Sequence, residues 1–277
     1  RTFLSLQRSP LSLPLGTTDN LLLSIKVKIK IHCWKDIWRC TMETNNTDHV
    51  RALYNAVKET WPADDPWHNY THNYVTQKVQ LYLATLRSGA LVLNAGAGDT
   101  RYCTSATVYD VDIAEEKLKN SSHPFVSSIE SLPFVDCYFD CAICVGSVLN
   151  YCDLYAALSQ LIRVLKPGGV LCIEYERSQS AEFLLTKNYN TNVFPKIYTY
   201  NGQQHRLWLY SDSYVLKFFK QQHIDIISRD YFHGVSSLVA RFTGDEPGAS
   251  RLAGYDHHLP WLLKFTAHNC LLWGQKI

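Results

Sequence analysis

The sequence predicts an α/β fold: a doubly wound sheet, mostly parallel with an antiparallel C-terminal strand, plus a hairpin/helix insertion. Three observations carry that expectation. Short apolar runs alternate with amphipathic helical stretches through the middle of the chain, the pattern that right-handed β-α-β crossovers produce. One such run, Leu91-Val-Leu-Asn94, leads directly into Gly96-Ala97-Gly98. The last third changes character, with Asn201-Gly202 between two strand-like runs, a hairpin signal.

Taken in order, residues 47–60 place Val50, Leu53, Tyr54 and Val57 at helical spacing. The Pro-containing stretch Trp61–Trp67 interrupts, and a second helix runs from about Tyr70 to Leu86, stopped by Ser88-Gly89. Strands are expected at 90–94, 106–111, 124–127 and 139–145, the last apolar enough to be covered on both faces. An amphipathic helix at 154–165 ends at Lys166-Pro167-Gly168-Gly169, and a fifth strand follows at 169–175. The remainder reads as a hairpin at 196–200 and 205–209, a helix at 211–222 with Ser211 as N-cap, and a strand at 224–232. A Gly-rich loop at 242–255, a helix at 257–267 and a last strand at 270–276 complete the chain.

Composition narrows the function class. With 277 residues, 46% hydrophobic, the chain buries a large core without disulfides. A formal net charge of +2 gives no nucleic-acid footprint. The charge is uneven: residues 1–41 hold seven Lys/Arg against two Asp/Glu, whereas 42–277 hold 20 against 23. The single methionine, Met42, opens a polar stretch at this break. Residues 1–41 are therefore expected to lie outside the functional domain, which is taken as 42–277. The rival reading is a basic strand-forming arm, since Ile25, Val27, Ile29 and Ile31 alternate with lysines. The best apolar stretch, Leu21–Ile31, is interrupted by those lysines and is too short to span a bilayer. Nine cysteines at irregular spacing read as free thiols in a reducing, cytoplasmic setting. Cys141 and Cys144 have zinc-like spacing, but on a strand they point to opposite faces, so no metal site is expected.

The chemistry concentrates after the first two strands. Glycines 96 and 98 let backbone amides approach a ligand closely. Asp112, 14 residues beyond Gly98, ends the second strand, where an acid can bind both hydroxyls of a ribose. An N-cap role for Asp112 over 114–118 suits position and identity equally well. Downstream come Leu132-Pro-Phe134, Phe139-Asp140 and Leu165-Lys-Pro-Gly-Gly169.

With those four motifs in that order, the run 90–176 resembles the class I S-adenosylmethionine-dependent methyltransferases, a Rossmann-like family. The resemblance implies S-adenosyl-L-methionine as cofactor. It implies that Asn94, Gly96 and Gly98 line its methionine part, and that Asp112 binds the ribose. Ile113 would pack on adenine with Ser128 and Ile129 at its edge, while Gly146 and Ser147 face cofactor and acceptor. Tyr74, with Tyr70, would cover the cofactor from the preceding helix. The chain departs from the family pattern at Asn94, often an acid, and at Thr100, where a third glycine is usual. The short interval from Gly98 to Asp112 also requires the intervening helix to be reduced or replaced by a loop.

Transfer from a sulfonium is an in-line displacement, so the protein's task is positioning, with a base only where the acceptor loses a proton. Candidates beyond the fourth and fifth strands are Asn150, Tyr151, Glu174, Glu176 and His205; Tyr151 and His205 are favoured as catalytic residues. The 179–210 insertion reads as a lid over the acceptor. Trp61, Trp67 and Trp208 read as packing residues, with Trp67 and Trp208 able to wall a pocket. The mildly acidic body argues for a small-molecule acceptor and against nucleic acid, and the lack of an apolar stretch long enough to span a bilayer argues against a membrane partner. The alternatives are methylation of a tRNA base or protein side chain, a non-catalytic cofactor-binding module, or a NAD-dependent oxidoreductase. The last needs a fuller glycine fingerprint than this chain has. The sequence leaves the acceptor atom and oligomeric state open.

Overall fold

Residues 47–61, 64–200, 203–258 and 260–277 are described in the structure, a computed structural model. The expectations for residues 1–41 lie outside them. Helices α1 (47–56) and α2 (Pro66–Leu83) precede five strands: β1 (Leu91–Ala95), β2 (Thr107–Asp112), β3 (Pro124–Val126), β4 (Phe139–Cys144) and β5 (Leu165–Glu176). Helix α3 (Leu154–Val164) lies between β4 and β5. Beyond them come β6 (Val193–Tyr200), β7 (Gln203–Tyr210), α4 (Asp212–Gln221), β8 (Ile224–Phe232) and α5 (Gly234–Thr243). The chain closes with α6 (Glu246–Ser250), α7 (Pro260–Thr266) and β9 (Asn269–Lys276).

Seven strands form one sheet in the order β3-β2-β1-β4-β5-β9-β8. The pairings among β1 to β5 are parallel, and β9 runs antiparallel to both β5 and β8. The strand order reverses between β1 and β4, so their C-terminal ends open a crevice at the point where such sheets bind ligands. Strand alternation explains why the sheet is covered on both faces. Leu93, Ala142, Cys144, Leu171 and Ile173 join one buried cluster, and Val92, Cys141, Ile143, Val170 and Cys172 the other. Cys141 and Cys144 thus sit on opposite faces, and all the described cysteines are free.

Helix α3 buries Leu154, Ala157, Leu158, Leu161 and Ile162, an i, i+3, i+4, i+7, i+8 stripe against the first cluster. Its N-cap Asp153 accepts from the amides of Tyr155 and Ala156. Helix α2 packs Val75, Val79 and Leu83 on the other face. Ser211 caps α4 by accepting from Tyr214 N, as the sequence predicts.

Other expectations need correction. The stretch 242–255 is not a simple loop. Gly244 (φ +71°) ends α5 in the left-handed conformation, and Asp245 caps α6 by accepting from Gly248 N. Residues 166–169 do not separate helix from strand; they lie inside β5, which starts at Leu165. After Gly98 the chain runs to Ala106 with no helix, as the short interval requires.

A buried ion pair fastens the C-terminal elements. Arg177 Nε and Nη2 donate to the two oxygens of Asp212 at 2.8 and 2.9 Å, and Nη1 and Nη2 also donate to the carbonyls of Ala267 and Lys264. Tyr175 and Tyr231 donate their hydroxyls to the same carboxylate. Every oxygen of Asp212 is paired, which is the condition under which a buried charge is tolerated. Among the described residues no helix is long and apolar enough to cross a membrane.

Candidate active site

The ends of β1, β2 and β4 meet in a narrow cleft of about 100 Å³. Asn94, Gly96, Gly98, Asp112, Ile113, Ser128, Ile129, Gly146 and Tyr151 all line it. Gly96 has φ +69°, and a Cβ there would meet both Val148 methyls at 2.5 Å, so only glycine fits this turn. Asp112 is held facing the loop: Oδ2 accepts from Gly98 N and Oδ1 from Ala114 N, both at 2.8 Å. The ribose and capping readings of Asp112 are therefore compatible, since each oxygen keeps a lone pair for a further donor. Burial pushes the Asp112 pKa up, against the two amides that favour the ionised form. Asn94 donates to Asp110 Oδ1 at 2.8 Å and to the Thr100 carbonyl, tying β1 to β2 and to the loop beyond Gly98.

The loop after β4 is fixed from below. Gly146 and Ser147 are consecutive left-handed residues (φ 84° and 57°), and their amides donate to Glu174 Oε2 at 3.0 and 2.6 Å. Asn269 Nδ2 donates to the other oxygen at 2.6 Å. Burial, with a contribution from the Glu176 carboxylate, raises the Glu174 pKa to about 7 despite these donors. Glu174 therefore positions this loop.

A strap covers the cleft. Asp99 accepts from the Thr60 amide (2.9 Å) and hydroxyl (2.7 Å) and from the buried Lys117 ammonium (2.9 Å). Lys117 also donates to the Val57 carbonyl. Trp61 follows, stacked on His72 of α2, and lies where a Cβ on Gly146 would reach its ring at 3.1 Å.

Two predicted residues fall outside the cleft. Tyr74 is turned away: it packs against Phe232 and Tyr70, and lines a separate surface depression with β8. The helical phase explains this, because Thr71, His72 and Val75 occupy the cleft-facing stripe of α2. Ser147 instead lines a second cavity, of about 510 Å³, beside the cleft. That volume falls within the small-molecule range of roughly 300–1,000 Å³. Tyr54, Thr60, Trp61, Thr71, Gly146 and Tyr151 line both spaces. Tyr151 accepts from the Tyr54 hydroxyl at 3.3 Å, so it stands at the junction. His205 stands in β7 opposite Tyr198 of β6; its side chain lies outside what the structure describes.

Sequence reasoning missed several residues of the second cavity. Asp65 caps α2 and pairs with His68 at 2.6 Å. Trp67, expected as a possible wall, does line the cavity and stacks on buried His233 at 3.9 Å; Trp208 instead packs against the sheet. His268 lies 3.3 Å from Glu176 Oε2. The Asp65–Pro66 start of α2 was a legible cap signal, whereas His268 reaches the site only through strand register. Among the described residues no group of His, Cys, Asp and Glu could hold a metal ion.

Comparison with known proteins agrees with this geometry. Residues 92–173 match the family described as "Methyltransferase domain". The chain is 24% identical to a ubiquinone/menaquinone biosynthesis C-methyltransferase of Erwinia tasmaniensis over 184 residues, 58% of this chain and 72% of that one. It is 30% identical to a tRNA (carboxymethyluridine(34)-5-O)-methyltransferase of Arabidopsis thaliana over 151 residues, 50% of this chain and 35% of the relative. The fold superposes on geranyl diphosphate C-methyltransferase from Streptomyces coelicolor A3(2) with a TM-score of 0.55 and 9% identity, covering 84% of this chain and 98% of that one.

A glycine turn, a strand-end carboxylate and a reversing strand order define a nucleoside-binding doubly wound protein. Residues 92–173 carry a methyltransferase domain, and the family model, the relatives and the fold support the class I S-adenosylmethionine-dependent type. The chain is an enzyme whose methyl donor is S-adenosyl-L-methionine.

Proposed function

We propose that this methyltransferase acts on a small molecule held in the second cavity. The observation that carries the reading is the shared wall: Trp61, Gly146 and Tyr151 border both the cleft and the cavity, so donor and acceptor would meet there. The relatives support the class of acceptor, since they include a ubiquinone/menaquinone biosynthesis C-methyltransferase. A tRNA acceptor is the second reading, favoured by the Arabidopsis relative. Against it, no Lys or Arg is found among the described residues lining the cavity, whereas phosphate contacts need them.

The residues fit the donor. A Cβ would fill the Gly96 cradle, and Asp112 offers two oxygens, each already oriented by one amide. In this reading Asp112 holds the ribose, Ile113, Ser128 and Ile129 border the base, and Asn94, Gly96 and Gly98 border the methionine end. The donor supplies an activated methyl carbon, so the chain's own work is alignment and exclusion of water. The strap clamped by Asp99 and Lys117 closes the cleft, and Tyr151 orients the acceptor with its hydroxyl. His205 is retained as a second candidate on the hairpin. The 179–210 segment acts as the lid, with Tyr198 and Leu207 lining the cavity. The buried free thiols suit a reducing, cytoplasmic setting.

The test is calorimetric titration of the full chain with S-adenosylhomocysteine and with NADH. S-adenosylhomocysteine is expected to bind, and Asp112→Ala to weaken it about 10- to 100-fold, the equivalent of one charge-assisted hydrogen bond of about 1.5–3 kcal/mol. Binding of NADH without S-adenosylhomocysteine would overturn the reading. Transfer of tritiated methyl to tRNA but not to metabolites would replace the small-molecule acceptor with the second reading.

A further inference from the structure

We infer that the acceptor is a small aromatic compound carrying N–H or O–H donors and no phosphate or carboxylate, its donors held by Glu176 and Asn269. This rests on the methyltransferase reading and narrows it to a chemical class.

Glu176 and Asn269 are direct cross-strand partners on β5 and β9, and both line the second cavity. Asn269 Oδ1 is buried with no hydrogen-bond donor, and the buried Glu176 Oε2 has no well-aligned one, His268 Nε2 approaching it at 3.3 Å. Buried acceptors are normally satisfied, so two under-satisfied oxygens beside a cavity call for a ligand that donates. Their donors are committed elsewhere. Asn269 Nδ2 is spent on Glu174, and the Glu176 amide donates to Asn150 Oδ1. His268 Nε2 lies 3.3 Å from Glu176 Oε2, within ion-pair range, while its Nδ1 is 3.1 Å from Ser180 Oγ. Burial opposes the charge on Glu176, but His268 and the Ser147 hydroxyl outweigh it and hold the carboxyl below its ordinary pKa. The acceptor therefore meets an ionised oxygen.

The charge around the cavity selects further. Its described lining holds four carboxylates, Asp64, Asp65, Glu176 and Glu246, against the imidazoles of His68, paired with Asp65, and His268, beside Glu176, and no Lys or Arg. Lys196, on the hairpin, is within the field of Glu176 and Glu246 but does not line the cavity; its ammonium is paired with Glu182 and lies over the rings of Phe183 and Tyr198. An anionic acceptor would face like charge; a neutral or cationic donor would not. Trp61 and Trp67 supply flat apolar walls that suit an aromatic ring.

The experiment uses the full chain saturated with S-adenosylhomocysteine and four probes: phenol, benzylamine, phenyl phosphate and benzoate. Binding is read by titration calorimetry and ligand-observed NMR. Phenol and benzylamine are expected to bind at least 10-fold more tightly than the two anions. Glu176→Gln, which keeps the volume but removes the charge, should weaken both donor probes at least 5-fold. Glu246→Gln, an exposed change at the rim, should weaken benzylamine while sparing phenol; this keeps the test valid if Glu176→Gln unfolds. The proposal is overturned if phenyl phosphate or benzoate matches the donors, or if no donor binds at millimolar concentration while S-adenosylhomocysteine does. It is also overturned if folded Glu176→Gln binds the donors as wild type does. Failure of wild type to bind S-adenosylhomocysteine would instead sink the methyltransferase reading, and this inference with it.

Discussion

Glu174 gives the sharpest test of how the loop after β4 is held. Its carboxylate is fully buried, accepts three hydrogen bonds, and has its pKa raised from 4.5 to about 7. Above pH 7 the folded protein keeps a charge that the unfolded chain holds more cheaply in water. Between 4.5 and 7 the folded state keeps a proton that the unfolded state has lost. Stability from this group is therefore fully present below about 4.5 and falls as pH rises through about 7. At about 1.4 kcal/mol per pH unit the loss totals about 3 kcal/mol, of which roughly 2.5 falls between pH 5 and pH 8. Glu174→Gln removes the titration and keeps the shape. Its carboxamide oxygen can accept from Gly146 and Ser147, and its NH₂ can donate to Asn269 once that amide reverses. Urea unfolding of wild type and Glu174→Gln at pH 5 and pH 8 measures the difference, and all other groups cancel. The variant should gain about 2.5 kcal/mol relative to wild type over that interval. Parallel pH dependence in the two proteins would refute both the buried charge and its proposed role in holding the loop.

Two further outcomes follow from the fold and the cleft. Gly96→Ala forces a side chain into a left-handed position and onto the Val148 methyls 2.5 Å away. The backbone strain alone costs about 1–2 kcal/mol of stability, and relieving the clash displaces the turn that borders the cleft, so calorimetry should show S-adenosylhomocysteine weakened at least 10-fold. Arg177→Leu leaves Asp212 buried without its cation, a loss of about 3–5 kcal/mol. For a chain of this length thermal unfolding should then begin roughly 6–20 °C lower, and an unchanged melting temperature would contradict the account of the C-terminal elements.

Much of the cleft was legible because its signals are local. A glycine turn at the end of an apolar strand and an acid at the end of the next are separated along the chain by one crossover, and β1 and β2 pair as that spacing requires. Asn94, Gly96, Gly98, Asp112, Ile113, Ser128, Ile129 and Gly146 come together for that reason. Tyr74 was misplaced because a helix has a direction as well as a position: one residue is 100° of rotation, and Thr71 and Val75 hold the face that Tyr74 was assigned. The Gly-rich stretch 242–255 hid a helix because Gly244 and Asp245 read as loop residues yet act as a C-terminal stop and an N-cap.

The chain's own order of residues determined the parallel α/β core, its two-sided burial and the nucleoside cleft, since each depends on periods of 2 or 3.6 residues and on glycine or carboxylate at a strand end. Only the tertiary structure decided what lies beside that cleft. Glu176 meets Asn269 and His268 across the β5–β9 pairing, and Asp99 meets Thr60 and Lys117 across the strap. Those partners lie up to 93 residues apart in sequence, and nothing in the neighbourhood of either one sets the register that joins them.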